Sequence, residues 1–104
     1  MKRKRNLELA SIYRQMRCVV CQTNMHVSGD HIKSFASGGE CCHENMWALC
    51  HHHHIEKHTL PLSEFVERYP QVRKHLENKG WEICDFTRKW IRLTKEGWDE
   101  GEKL

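Results

Sequence analysis

Apolar residues recur at helical spacing near the start of the chain. Leu7, Ile12 and Met16, with Leu9 and Tyr13, predict a short amphipathic helix. The pattern then breaks. Cys18-Val19-Val20-Cys21 reads as a tight turn between short extended pieces. Asn24 to Val27 reads as strand, and Ser28-Gly29 as a turn into Asp30-His31-Ile32. Gly38-Gly39 marks a loop. Met46 to Leu49 is apolar and runs into His51-His52-His53-His54, which with Ile55 to His58 predicts a helix. Pro61 ends that helix, and Ser63 is positioned to cap the next, with Phe65 and Val66 buried. Pro70 starts another helix carrying Val72 and Leu76, and Gly80 stops it. Trp81 to Leu93 predicts a β-hairpin with Trp81, Ile83, Phe86, Trp90 and Ile91 as its apolar positions. After Thr94 the chain reads as a polar tail, where Trp98 has no evident packing partner.

The length of 104 residues and hydrophobic fraction of 38% suit one small domain. It divides into a basic N-terminal segment (1–15), a core (16–60), a helical and hairpin extension (61–95) and a polar tail (96–104). A core this small commonly recruits metals or disulfides. No apolar run reaches spanning length, and Asn6-Leu7-Glu8-Leu9 after the basic start is not a secretory apolar segment. The expectation is a soluble cytoplasmic protein with no membrane partner. The formal charge of +3 is mild. The basic start, Lys57, Arg88, Lys89 and Arg92 are candidate phosphate contacts, against a plain reading as solvated charge. Arg88 to Arg92 interleaves basic and aromatic residues around Trp90, a pattern that suits backbone phosphates or a splayed base.

The chain has six cysteines and nine histidines. With no secretory segment in view, metal ligation is a better first reading than disulfides. Cys18 and Cys21 form a Cys-x-x-Cys knuckle, and Cys50 and His53 repeat its separation at the start of the predicted helix. Two such pairs can close a tetrahedral zinc site and staple the long loop between them. His54, four residues after Cys50, is an alternative to His53. A second set is Asp30 with His54 and His58, two histidines four apart on one helix face. One carboxylate oxygen and two imidazoles can accept magnesium, manganese, nickel or zinc. His31, next along the strand, would point away from the Asp30 ligand direction, which suits it to act as a base.

Cys18-x-x-Cys21, Asp30-His31-Ile32, Gly38-Gly39, Glu44-Asn45 and Leu49-Cys50-x-x-His53-His54-x-x-Lys57 together resemble the HNH endonucleases. The likeness is to the short phage and bacterial type with a zinc-bound treble-clef scaffold, over residues 16 to 58. It implies an α+β fold: a small zinc-stapled treble-clef, ββα-metal core with an added helical segment and C-terminal β-hairpin. It implies DNA phosphodiester hydrolysis leaving 5′-phosphate and 3′-hydroxyl ends. Asp30 and His54 would be ligands of one catalytic divalent metal, with His58 as a second helix ligand. His31 would be the general base, and Asn45 would bond backbone to hold the loop and orient His31. Neutral imidazole suits proton removal near neutral pH, and one cation can stabilise phosphate and leaving oxygen.

The chain departs from that pattern in places. The fourth zinc ligand would be His53, where relatives usually carry cysteine; Cys41-Cys42-His43 stands where they usually carry acidic or small polar residues. Cys41 or Cys42 could compete for metal, or the loop could be exposed with reduced thiols. Cys84 reads as a small core residue of the hairpin. His51 is three before His54 and could replace His58 as a ligand; His51 and His52 otherwise read as solvated. His26, His43 and His75 read as ordinary histidines without a functional partner. Two other functions fit parts of the pattern: a non-catalytic zinc-stabilised module binding nucleic acid or protein, and a metal sensor or store using the histidine run. The DNA target would be double- or single-stranded, and a protein partner is compatible.

Overall fold

The computed structural model describes residues 6–94 and 97–101. The basic start at residues 1–5 and the last residues, 102–104, lie outside the described part. Helix α1 (Leu7–Arg14) opens with Asn6, whose side chain accepts from the Leu9 amide at 3.0 Å. Its buried face is Leu9 and Tyr13, whereas Leu7, Ile12 and Met16 are exposed. The predicted stripe therefore splits, because only one side of α1 meets the sheet.

That sheet is an antiparallel pair, β1 (Val27–His31) and β2 (Met46–Cys50), registering Val27 with Cys50 and Asp30 with Trp47. The expected turn at Ser28-Gly29 is strand instead. A Cβ on Gly29 would come within 3.0 Å of the Tyr13 Cβ and 2.7 Å of the Met46 Cε. Glycine is there so that α1 can lie against the strand, not to reverse the chain. All of β2 is buried.

Helix α2 (His51–Thr59) follows β2 without a gap. Extended backbone at Leu60 and Pro61 ends it. Helix α3 (Leu62–Arg68) is capped by Pro61, not by Ser63, which lies within the helix. The Pro61 carbonyl accepts from the Phe65 amide at 3.1 Å, so the helix starts earlier than the side-chain cap rule suggested. Leu62, Phe65 and Val66 are its buried face. A 3₁₀ turn at Pro70–Val72 leads into α4 (Arg73–Asn78), with Val72 and Leu76 fully buried. Gly80, at φ +90°, closes that helix.

The expected hairpin is a three-stranded antiparallel sheet, β3 (Trp81–Ile83), β4 (Trp90–Thr94) and β5 (Gly97–Glu100). Part of the expected polar tail is thus strand. Backbone pairing with β4 supplies what its sequence pattern does not show, and Trp98 stands opposite Leu93 with both exposed. The Thr94 hydroxyl donates to the Gly97 carbonyl at 2.8 Å, and the Gly101 amide to the Trp90 carbonyl at 2.9 Å. Phe86 is not an apolar anchor; it is 97% exposed in the β3–β4 turn. Cys84 is half-exposed at the start of that turn, not a core residue.

Trp47, Trp81, Trp90 and Phe65 are the largest fully buried side chains of a single α+β core. No helix among the described residues is long and apolar enough to cross a membrane.

Candidate metal centres

The knuckle is shaped by its own backbone. The Cys18 amide donates to the Thr23 carbonyl and the Gln22 amide to the Cys18 carbonyl, both at 2.9 Å, and Gln22 takes φ +63°. The Val19 amide donates to the Ala48 carbonyl at 3.0 Å and ties the knuckle to β2. Cys50, at the junction of β2 and α2, then faces it. Cys21 Sγ lies 3.8 Å from Cys50 Sγ; His53 Nδ1 lies 3.2 Å from Cys50 Sγ and 3.8 Å from Cys18 Sγ. Ligands of a tetrahedral zinc stand roughly 3.5–3.8 Å apart, from Zn–S near 2.3 Å and Zn–N near 2.0 Å. The Cys18, Cys21, Cys50, His53 cluster could hold a metal such as zinc. Burial pushes the Cys18 thiol up, but the backbone N–H groups of Cys50, Cys21 and Val20 outweigh it and lower its pKa.

The choice between His53 and His54 is made by the helix. Successive residues on α2 point about 100° apart, so His53 turns to the cysteines and His54 to the sheet. His53 is braced edge-on by the Tyr69 ring at 5.1 Å. Glu56, one turn on, accepts from the Tyr69 hydroxyl and from Arg68. The overlapping group His52, His53 and Glu56 would compete for His53.

On the other side of α2, Asp30 is 3% exposed and carries two kinds of partner. Its Oδ2 accepts from Trp47 Nε1 at 2.9 Å and pairs with Lys57 Nζ at 2.8 Å. Its Oδ1 faces His54 Nε2 at 3.2 Å and His58 Nε2 at 3.5 Å, and the two imidazole nitrogens are 3.0 Å apart. Oxygen and nitrogen ligands about 2.1 Å from one cation stand roughly 3.0–3.4 Å apart at octahedral to tetrahedral angles. This trio also could hold a metal. Burial pushes the Asp30 carboxyl up, but the Lys57 ammonium and the bonds from His54 and His58 outweigh it and hold it far below the ordinary carboxylate range.

His31 and Asp30 both line a cavity of about 380 Å³ with His54, His58, Cys41 and Phe35. The cavity is lined from α1, β1, the loop after β1 and α2, so neighbours that alternate along the strand share it. His31 Nε2 lies 3.0 Å from Cys41 Sγ, and its ring tilts against Phe35. Asn45 is fully buried. Its Oδ1 accepts from the Lys33 amide at 2.8 Å, and its Nδ2 donates to the carbonyls of Lys33 at 3.0 Å and Glu40 at 2.9 Å. It thus clamps both ends of the loop, two residues beyond His31. A Cβ on Gly39 would stand 1.9 Å from the Lys33 carbonyl oxygen, so this clamp requires glycine there.

Two of the expected phosphate contacts, Lys57 and Arg92, are buried. Lys57 is 7% exposed and donates to the His31 carbonyl at 2.9 Å as well as to Asp30, so its charge is spent inside. Arg92 is 9% exposed with its guanidinium over the Trp81 ring at 5.6 Å. Arg88 is exposed, and Lys89 pairs with Glu100 at 3.5 Å. His51 does not join Asp30; it lines a separate hollow with His26 and Ser28.

His43 has a structural role that its sequence context did not suggest. Its Nδ1 meets the Tyr13 hydroxyl at 3.0 Å, and its carbonyl accepts from Lys79 Nζ at 2.8 Å. Trp81 Nε1 donates to the Glu44 carbonyl at 2.7 Å. These bonds pin the loop before β2 to α1, to the end of α4 and to β3, and no short-range pattern announces them.

No family model matches the chain, and neither does any curated protein or any solved structure.

Proposed function

We propose that this protein is a metal-dependent endonuclease of the HNH kind, hydrolysing DNA phosphodiester bonds. The observation that carries the reading is the convergence of Asp30 Oδ1, His54 Nε2 and His58 Nε2 beside the His31 imidazole in one cavity. In this reading the hairpin of β1 and β2 followed by α2 is a ββα-metal core, and zinc on Cys18, Cys21, Cys50 and His53 completes a treble clef.

Each residue has a task. Trp47 and Lys57 hold Oδ2 of Asp30 and aim Oδ1 at the histidines. Lys57 also keeps Asp30 ionised, as a ligand must be. His54 and His58, one helical turn apart, present their Nε2 atoms to the same point. A cation bound there supplies a Lewis acid for the phosphate and the leaving oxygen. His31 accepts the proton of the attacking water, for which its Nε2 turns from Cys41 to the water. Asn45 and Gly39 hold the loop that frames this side of the cavity. His53, one residue before His54, couples the zinc staple to the orientation of α2.

The test is plasmid nicking by metal-stripped protein re-supplied with magnesium, manganese, nickel or zinc, wild type beside His31→Ala. The expected result is metal-dependent nicking that falls by a factor on the order of 10²–10⁴ in the variant. Full activity of His31→Ala would overturn the assignment. A second reading, a zinc-stabilised binding module, is favoured by one observation: the Lys57 ammonium already neutralises Asp30 without a metal. Retained DNA affinity with no nicking under any of the four metals would select it.

A further inference from the structure

Cys41, Cys42 and Cys84 lie outside the zinc cluster. Cys41 is half-exposed, lines the same cavity as Asp30 and His54, and places its sulfur 3.0 Å from His31 Nε2. The adjacent Cys42 differs: burial pushes its thiol up, and it is engaged with the Asn45 backbone and Glu44. Cys18, Cys21 and Cys50 crowd against one another and His53. We propose that the Cys41–His31 pair is a covalent modification site for small-molecule disulfides, and that the adduct closes the catalytic cavity.

A thiol and an imidazole within hydrogen-bond reach, open to a cavity, form the arrangement in which sulfur can attack while its proton is accepted. A cavity of about 380 Å³ has the volume of roughly a dozen waters, room for a short thiol adduct. With cystamine as the reagent, Cys41 sulfur attacks one sulfur of its disulfide. A Cys41–cysteamine disulfide forms as the cystamine S–S bond breaks, and the departing cysteamine sulfur takes the proton that Cys41 gives up. One disulfide is exchanged for another, so no outside oxidant is needed. The adduct then fills the space that water and phosphate must enter beside His31. This consequence rests on the nuclease reading; the modification itself does not.

The experiment uses the zinc-loaded 104-residue chain carrying Cys84→Ser, because the half-exposed Cys84 thiol, its pKa lowered by its bonds to Thr87, would also react. Cystamine is added, adducts are located by peptide mass, zinc release is followed, and nicking is measured before and after dithiothreitol. The expected result is an adduct at Cys41 forming about tenfold faster than at Cys42. Nicking should fall to below about a tenth without zinc release, and return on reduction. On the same background Cys41→Ala should show no loss relative to its own untreated rate. Modification of Cys42 ahead of Cys41, or loss of nicking that tracks zinc release, would overturn the proposal, as would a Cys41 adduct that still nicks. If the untreated protein does not nick, the nuclease reading fails by itself. The labelling rates then decide the site alone: preference for Cys41 supports it, and absence of preference overturns it.

Discussion

Trp47 and Asp30 face each other across the β1–β2 register, and the indole Nε1 donates to the buried carboxylate at 2.9 Å. The bond fixes one oxygen of Asp30 and leaves the other to His54 and His58. Trp47→Phe keeps most of the packing against Phe65 and removes this donor. It should cost about 1–3 kcal/mol in urea unfolding and weaken binding of a divalent ion at the second site.

Lys57 is the stronger test of how Asp30 is held. Lys57→Met leaves a buried carboxylate without its cation, which should destabilise the apo second site by about 3–5 kcal/mol. Manganese or nickel should restore more of the melting temperature in this variant than in wild type, because the ion replaces the missing charge. Equal shifts in both would overturn the coupling between Lys57 and a metal at Asp30.

Neighbouring histidines should separate in their effects. His53→Ala should lose zinc and cooperative unfolding, since zinc binding is folding free energy in a domain this small. His54→Ala should keep one zinc per chain by native mass spectrometry and lose only the second metal. The reverse outcome would assign His54, not His53, to the zinc cluster.

Asn45→Ala removes three part-buried hydrogen bonds that tie the Lys33 and Glu40 backbone together. A loss of about 2–5 kcal/mol is expected, measurable by thermal melting, with faster amide exchange in the loop from residue 33 to 45.

Acid should unfold the protein partly through Asp30. Its folded pKa is depressed, so its contribution is fully present above the unfolded value near 4 and is lost as pH falls toward the folded one. Asp30→Asn should flatten that part of the stability profile below about pH 4. A wild-type acid slope in the variant would remove Asp30 from the account.

Short-range chemistry was readable in the chain itself. The Cys-x-x-Cys knuckle, the Cys50–His53 spacing and the four-residue step from His54 to His58 follow from turn and helix geometry, which act within a few residues. So do the helix ends at Pro61 and Gly80. The division of the histidine run also follows from the helical turn, once its partners are placed. Only the tertiary structure decided what those faces meet. Lys57 and Arg92 look like surface charge by composition, yet one ends against Asp30 and the other over Trp81, because elements distant in sequence cover them. Cys41 meets His31 only because Asn45 and Gly39 fold the loop back on β1. The strand at Gly97–Glu100 exists because β4 offers a backbone edge, and side-chain patterning does not encode such an edge. Local periodicity sets where helices and ligand pairs form; burial and charge pairing across the core depend on contacts that no local spacing carries.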